Sequence, residues 1–374
     1  MSPSRELLSW VTLTRAPEIN VAVIATALET LGHATGILDA PDRLRAHAGL
    51  APATREFLQS PAALPTHAER TWLESPGHHL LAFNDARFPQ LLRAAPGCPV
   101  ALYVDGNPAA LSEPQIAIVG SRNPTAQGRQ TSYEFAEYLA RQGLTITSGL
   151  AEGIDTEAHR GALAAQGLTI GVLGTGVDWI YPQSNRALAD LIAGRGALVS
   201  EFPLGTPAKR GNFPQRNRII ACMTLGTLVI EAARQSGSLI TARLAGEAGR
   251  EVFAIPGSIH NPLARGCHQL IRQGAKLTET ADDIMCELDF STHLGAQKSP
   301  AAAPGPAAGP SPGMDKDHKI LLDALGFDPT DLDRLVARTG FNAQAVSSMM
   351  LILELEGHVQ AAPGGRYSRV SRSP

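Results

Sequence analysis

The stretch 116-IAIVGSRNPTAQGRQTSYEFAEYLARQGLTITSGLAEGID-155 decides the fold. It opens on an apolar run without polar alternation and turns at Gly120-Ser121-Arg122. A patterned segment over 128–142 follows, and a second apolar run ends at Ser148-Gly149. Continuous apolar runs of this kind fit strands buried on both faces of a parallel sheet, and the segment between them is long enough for a crossover helix. The unit recurs outward. ALYV, LTIGVLG, ALVSE, GTLVIEA and EVFAIPG alternate with helical segments at 155–166, 184–194 and 238–249. Strand–helix alternation from Ala101 to about Leu288 predicts an α/β class with an extended Rossmann-like, doubly wound, mostly parallel sheet.

The flanks have other textures. Residues 1–78 carry Leu7, Trp10 and Val11, then Val21, Ile24, Ala25 and Leu28, at helical spacing. They predict a small helical domain, SAM or helix-hairpin-helix-like. Its candidate DNA-binding turn, Arg15 to Asn20, has no glycine and carries Glu18, so packing is the expected role. The sheet domain is expected over 79–294. Residues 295–314 hold five Pro, four Gly and six Ala with a single charge, a linker composition. Residues 315–374 follow as three helices (320–325, 331–339, 342–355) and a ribbon over 359–370 turning at Pro363-Gly364-Gly365, a winged-helix pattern.

Composition narrows the function. The 374 residues carry 32 Lys+Arg against 35 Asp+Glu, a net charge of −3, so a polyanion must meet a local basic patch. No apolar run is long enough for a membrane span, and the N-terminus lacks the apolar core of a signal peptide, so a cytoplasmic protein is expected. Cys98, Cys222, Cys267 and Cys286 share no CxxC spacing, so neither a disulfide framework nor a structural metal is expected.

In an open parallel sheet, ligands bind beyond the carboxyl ends of the strands. The candidate site residues therefore lie in the loops. Gly120, Ser121, Arg122 and Thr125 form the first, where a glycine lets backbone N–H groups approach an anion and Arg grips phosphate. Ser148, Gly149 and Gly153 form the second, ahead of a helix that Asp155 is expected to cap. The third, GTPAKRGNFPQRNR, displays Lys209, Arg210, Arg216 and Arg218 with Asn217 among them; no acid occurs from Phe202 through Ile230. Ser236, Gly237 and Ser238 form a fourth loop ahead of a helix over 239–249, whose N-terminus can face an anion. Together these predict a polyanion groove.

Two enzyme readings compete. Gly171 to Trp179 approximates a dinucleotide fingerprint, but Trp179 stands at the third small-residue position and Tyr181-Pro182 blocks a helix start. Gly226-Thr227 with Glu231 is a fragment of a phosphoribohydrolase signature without its Pro-Gly-Gly, which leaves Glu231 as a strand-end structural carboxylate. His159 and His260 read as loop and helix-start hydrogen bonders. No cofactor is expected.

IVGSR at 118–122, SGLAEGID at 148–155, GTGVDWIYPQSN at 174–185, FPQRNRIIA at 213–221, SGSLITARLA at 236–245 and AIPGSIHNPLARGCHQLIRQGAKL at 254–277 occur in order. This series resembles the DNA-processing protein A family (DprA, or Smf), and LELEGHV at 353–359 with the PGGRY wing extends the likeness. The resemblance implies a non-enzymatic bacterial protein of natural transformation. Such a protein binds and protects single-stranded DNA without sequence specificity and promotes RecA loading. It implies phosphate contacts at Gly120, Ser121 and Arg122, at Arg216, Asn217 and Arg218, and at Ser236, Gly237 and Ser238, and a homodimer and RecA surface at His268, Ile271 and Leu277. Some members carry a DNA-binding Lys where this chain has Glu152. The winged helix is expected to contact protein rather than read bases. Its helix 342–353 has no Lys or Arg, and residues 315–374 hold eight acids against seven bases.

Overall fold

The computed structural model describes residues 2–288, 316–326, 329–362 and 364–370. Its main sheet has nine strands: β1 (His78–Ala82), β2 (Ala101–Gly106), β3 (Gln115–Gly120), β4 (Thr145–Ser148), β5 (Thr169–Val172), β6 (Ala197–Ser200), β7 (Gly226–Ile230), β8 (Glu251–Ala254) and β9 (Lys276–Leu277). The order is β1-β2-β6-β5-β4-β3-β7-β8-β9. All neighbours from β6 to β9 pair in parallel, while β1–β2 and β2–β6 are antiparallel. Successive crossovers run one way from β3 to β6, and the chain then returns past β3 to lay down β7. The switch point therefore lies between the carboxyl ends of β3 and β7, where such sheets bind ligands.

Sequence chemistry explains the central strands. Ile116, Ala117, Ile118 and Val119 of β3 are buried, as are Leu228, Val229 and Ile230 of β7. Each fully buried Val, Leu or Ile contributes about 1.5–3 kcal/mol relative to exposure. Opposite faces of the sheet feed different cores: Val119, Val172, Val199 and Val229 join one, Ile116, Ile118, Ile146 and Leu228 another. Side-chain alternation along each strand produces this division.

The N-terminal helices are not isolated from the sheet. Trp10, Leu13, Ile24 and Ile37 share one core with Leu80, Tyr103, Leu188 and Ile192. Thr14 Oγ1 lies 3.2 Å from the Tyr103 hydroxyl, and Trp72 stacks on His78 at 4.3 Å between ring centroids. The turn from Arg15 to Asn20 is packed too, with Thr54 Oγ1 donating to Pro17 O at 2.7 Å.

The C-terminal segment forms helices Lys316–Leu325, Leu332–Thr339 and Ala343–Leu355 with β10 (Thr330–Asp331), β11 (Val359–Ala362) and β12 (Arg366–Arg369), in sheet order β10-β12-β11. Val346, Met350 and Leu353 are buried in its core, whereas Leu351, Ile352 and Leu355 are exposed. The expected linker at 295–314 lies outside the described residues. No helix among the described residues is long and apolar enough to cross a membrane.

Candidate nucleic-acid interface

A cavity of about 520 Å³ opens at the β3/β7 switch point. Gly120, Ser121 and Arg122 line it from the end of β3. Arg210, Phe213, Arg216 and Asn217 line it from the third loop and the helix Asn212–Met223. Ser236, Gly237 and Ser238 line it from the start of the helix Gly237–Glu247. Residues far apart in sequence thus converge because the loops that carry them all leave the same sheet edge.

Each loop is held locally. Ser121 Oγ accepts from Asn123 N at 3.1 Å, fixing the turn after β3. Ser236 caps its helix, accepting from Ser238 N at 3.3 Å, and the two serine hydroxyls lie 2.7 Å apart. Asn217 Nδ2 donates to Gly237 O at 3.3 Å, tying the middle of the helix Asn212–Met223 to the start of Gly237–Glu247. Arg122 is exposed, with its guanidinium carbon 5.7 Å from the centre of the Phe213 ring. Arg210 is exposed on the cavity wall; Lys209 is exposed but does not line it.

Arg216 departs from expectation. It is not displayed on the surface: it is 4% exposed and forms part of the cavity floor. Its Nη1 donates to Val172 O at 2.7 Å, and its buried Nε has no partner. Burial pulls its pKa down to about 10, opposed by the nearby Asp155 charge, so it stays protonated at neutral pH. The helix turns it inward while Asn217 faces the cavity, which acidic residue counting along the chain does not detect.

Arg218 departs as well. It pairs with Glu201, the acid just before the acid-free stretch, and lies away from the cavity beside Gly97 and Cys98. Glu201 is itself largely buried, and desolvation raises its pKa despite the Arg218 charge. A buried ion pair of this kind is structural, and its cation is committed.

Ser148, Gly149 and Gly153 support the cavity without lining it, whereas Asp155 joins Arg216 in its lining. Ser148 Oγ donates to Ile118 O at 2.6 Å. Gly149 is required by contact: a Cβ there would lie 1.9 Å from Arg216 Nη1. Gly153 has φ +83°, and a Cβ would lie 2.4 Å from Ser121 O. Asp155 does not cap the following helix. Gly153 takes that position, and Asp155 instead accepts from Gly149 N and Ala151 N at 3.1 and 3.3 Å. Burial raises the Asp155 pKa, with Arg216 opposing.

Thr125 caps the helix Ala126–Arg141 and is bound to Glu231, its N and Oγ1 donating at 2.8 and 2.6 Å. Glu231 therefore latches the β3 loop to β7, and its backbone sits at φ +52°. This geometry matches a structural carboxylate. The apparent dinucleotide fingerprint also has a packing explanation, since a Cβ at Gly174 would meet the Phe213 ring at 2.8 Å. His159 is neither loop nor helix start; it lies buried inside the helix Ile154–Ala164. His260 is exposed.

Sequence reasoning missed the aromatic wall. Phe213 and Tyr181 line the cavity with ring centroids 5.7 Å apart and planes at 44°. Tyr181 is 46% exposed. The available signal was placement, since aromatics make up only 5% of the chain, and Tyr181 falls in a loop and Phe213 in the first turn of a helix at the same sheet edge.

The profile of the DNA recombination-mediator protein A family matches residues 79–289. The chain belongs to this family. The DprA winged helix domain profile matches residues 301–365. Protein Smf of Escherichia coli is 44% identical over 313 residues, covering 81% of this chain and 80% of the relative. DNA processing protein DprA of Streptococcus pneumoniae is 42% identical over 224 residues, covering 60% of this chain and 78% of the relative. An X-ray structure of the S. pneumoniae DprA superposes with a TM-score of 0.65 at 34% identity, covering 78% of this chain and 100% of that one. A Helicobacter pylori DprA structure, described for its single-stranded DNA binding mode, gives a TM-score of 0.51 at 28% identity, covering 55% of this chain and 94% of that one. The DprA likeness thus covers both the sheet that builds the cavity and the C-terminal winged helix.

Proposed function

We propose that this DprA-family chain binds single-stranded DNA in the β3/β7 cavity, holding phosphates and stacking bases without requiring a defined sequence. The observation that carries this reading is the protonated Arg216 in the cavity floor, whose buried Nε has no hydrogen-bond partner although the Asp155 charge lies nearby in the same lining. A buried guanidinium with an unpartnered N–H favours an anion above it. Arg122 and Arg210 add exposed cations, and the Ser236–Ser238 helix start adds backbone donors. Phe213 and Tyr181 offer ring faces beside the phosphate site, which suits unpaired bases. A duplex keeps its base faces stacked and cannot use them. That the H. pylori relative is described for single-stranded DNA binding supports a single-strand ligand here.

On this reading the chain acts as a binding protein rather than an enzyme, protecting incoming strands and promoting RecA loading during DNA uptake and recombination. It self-associates as a homodimer through the segment of His268, Ile271 and Leu277. In support, Leu277 is 44% exposed on β9, the outermost strand. Such an edge invites pairing. His268 is tied to Gly257 O at 2.9 Å, and Ile271 packs partly on the sheet core.

Fluorescence anisotropy with a labelled oligonucleotide tests the binding reading. Wild type is expected to prefer single strands over blunt duplex, and Arg122→Glu to lose most of that affinity while melting like wild type. Equal or tighter binding to duplex would sink it. Sedimentation at tens of micromolar tests self-association: Leu277→Arg is expected to be monomeric, and a monomeric wild type would remove the dimer.

A further inference from the structure

A smaller recess continues from the main cavity past the rings of Tyr181 and Phe213, and Glu152 lines it together with Arg122 and Pro182. The rings are too close and too tilted to admit a base between them, so a base must stack on an outer face. Glu152 is exposed. Its Oε1 accepts from Ser184 Oγ at 2.9 Å, and Oε2 accepts no hydrogen bond among the described residues. A carboxylate with one oxygen open is a poor neighbour for a phosphate but a good acceptor for a base amine.

We infer that Glu152 selects bases: its carboxylate accepts a hydrogen bond from the exocyclic amine of a base stacked on Tyr181 or Phe213, favouring cytosine over thymine. An ionised carboxylate only accepts. Cytosine presents its N4 amine on the edge where thymine presents the O4 acceptor, so thymine places oxygen against oxygen. Adenine, through its N6 amine, shares the advantage. Because one nucleotide of the bound strand meets Glu152, the effect biases composition without specifying a sequence. The inference rests on the single-stranded DNA reading above.

The test uses the full chain with 12-residue oligo-dC and oligo-dT at pH 7.5, read by anisotropy. Wild type is expected to bind oligo-dC about tenfold more tightly, the low end of what a hydrogen bond to a charged group contributes. Glu152→Ala is expected to bring the two strands within about twofold at an unchanged salt dependence. Glu152→Gln is expected to do the same while strengthening oligo-dT, since its amide can donate to O4. Equal affinities in wild type, or a preference that survives Glu152→Ala, would overturn the inference and leave single-strand binding standing. Failure to bind either strand would sink the underlying reading and this inference with it.

Discussion

His159 makes folding stability depend on pH in a way that can be worked out from its surroundings. It is fully buried, its Nδ1 lies 2.7 Å from Thr169 Oγ1, and that hydroxyl donates onward to Ile146 O at 2.7 Å. The Thr169 oxygen therefore accepts from Nδ1–H, which leaves Nε2 as the unprotonated nitrogen. Nε2 is buried without a partner, so a proton there creates a charge in an apolar place. Burial, with the Arg216 charge adding, lowers the imidazole pKa from 6.5 to about 3. The unfolded chain takes up the proton below pH 6.5 and the folded chain only near pH 3. The stabilisation is complete above pH 6.5 and is lost progressively as pH falls towards 3. At about 1.4 kcal/mol per pH unit, His159 alone removes roughly 3 kcal/mol between pH 7 and pH 4.5. His159→Gln keeps an amide donor for Thr169 but does not titrate. Urea midpoints followed by tryptophan fluorescence at both pH values compare the two proteins, and every other titrating group cancels. Wild type should lose roughly 3 kcal/mol more than the variant over this interval. Equal losses would refute the buried neutral imidazole.

Gly149→Ala should destabilise the sheet domain by about 2–4 kcal/mol, measured by urea unfolding, because its Cβ falls on the Arg216 guanidinium. Arg218→Glu should cost about 3–5 kcal/mol by leaving two carboxylates together beside Cys98, and should leave single-strand affinity of the folded protein within about threefold. A variant that melts like wild type but loses DNA would return Arg218 to the phosphate site. Glu231→Ala should release Thr125 and weaken single-strand binding severalfold at an unchanged salt slope, since it repositions the Arg122 loop without touching phosphate.

The strand–helix alternation and the convergence of the post-strand loops were legible because they follow from local apolar runs and a general rule of open sheets. The side-chain directions within the third loop were not. Arg216, Asn217 and Arg218 are adjacent in sequence, yet one enters the floor, one faces the cavity and one pairs with Glu201. Helical rotation within Asn212–Met223 separates them, which loop-like spacing in the sequence does not reveal. Nor was the attachment of the N-terminal helices visible, because it rests on long-range contacts such as Thr14 to Tyr103. Strand β1 was missed for a related reason: HHLLA is short, opens with two histidines and is defined by its pairing with β2.

The central claim is that DNA phosphates occupy the cavity over Arg216 beside Arg122, and the salt dependence of single-strand affinity measures it most directly. Each phosphate neutralised contributes about 0.7 to the slope of log K against log[salt] for single strands. Anisotropy titrations across a series of salt concentrations should give wild type a slope of roughly −2 to −3, for three or four such contacts. Arg122→Ala should bind more weakly with a slope shallower by about 0.7. An Arg122→Ala protein with wild-type affinity and wild-type slope would place the DNA elsewhere and contradict the account.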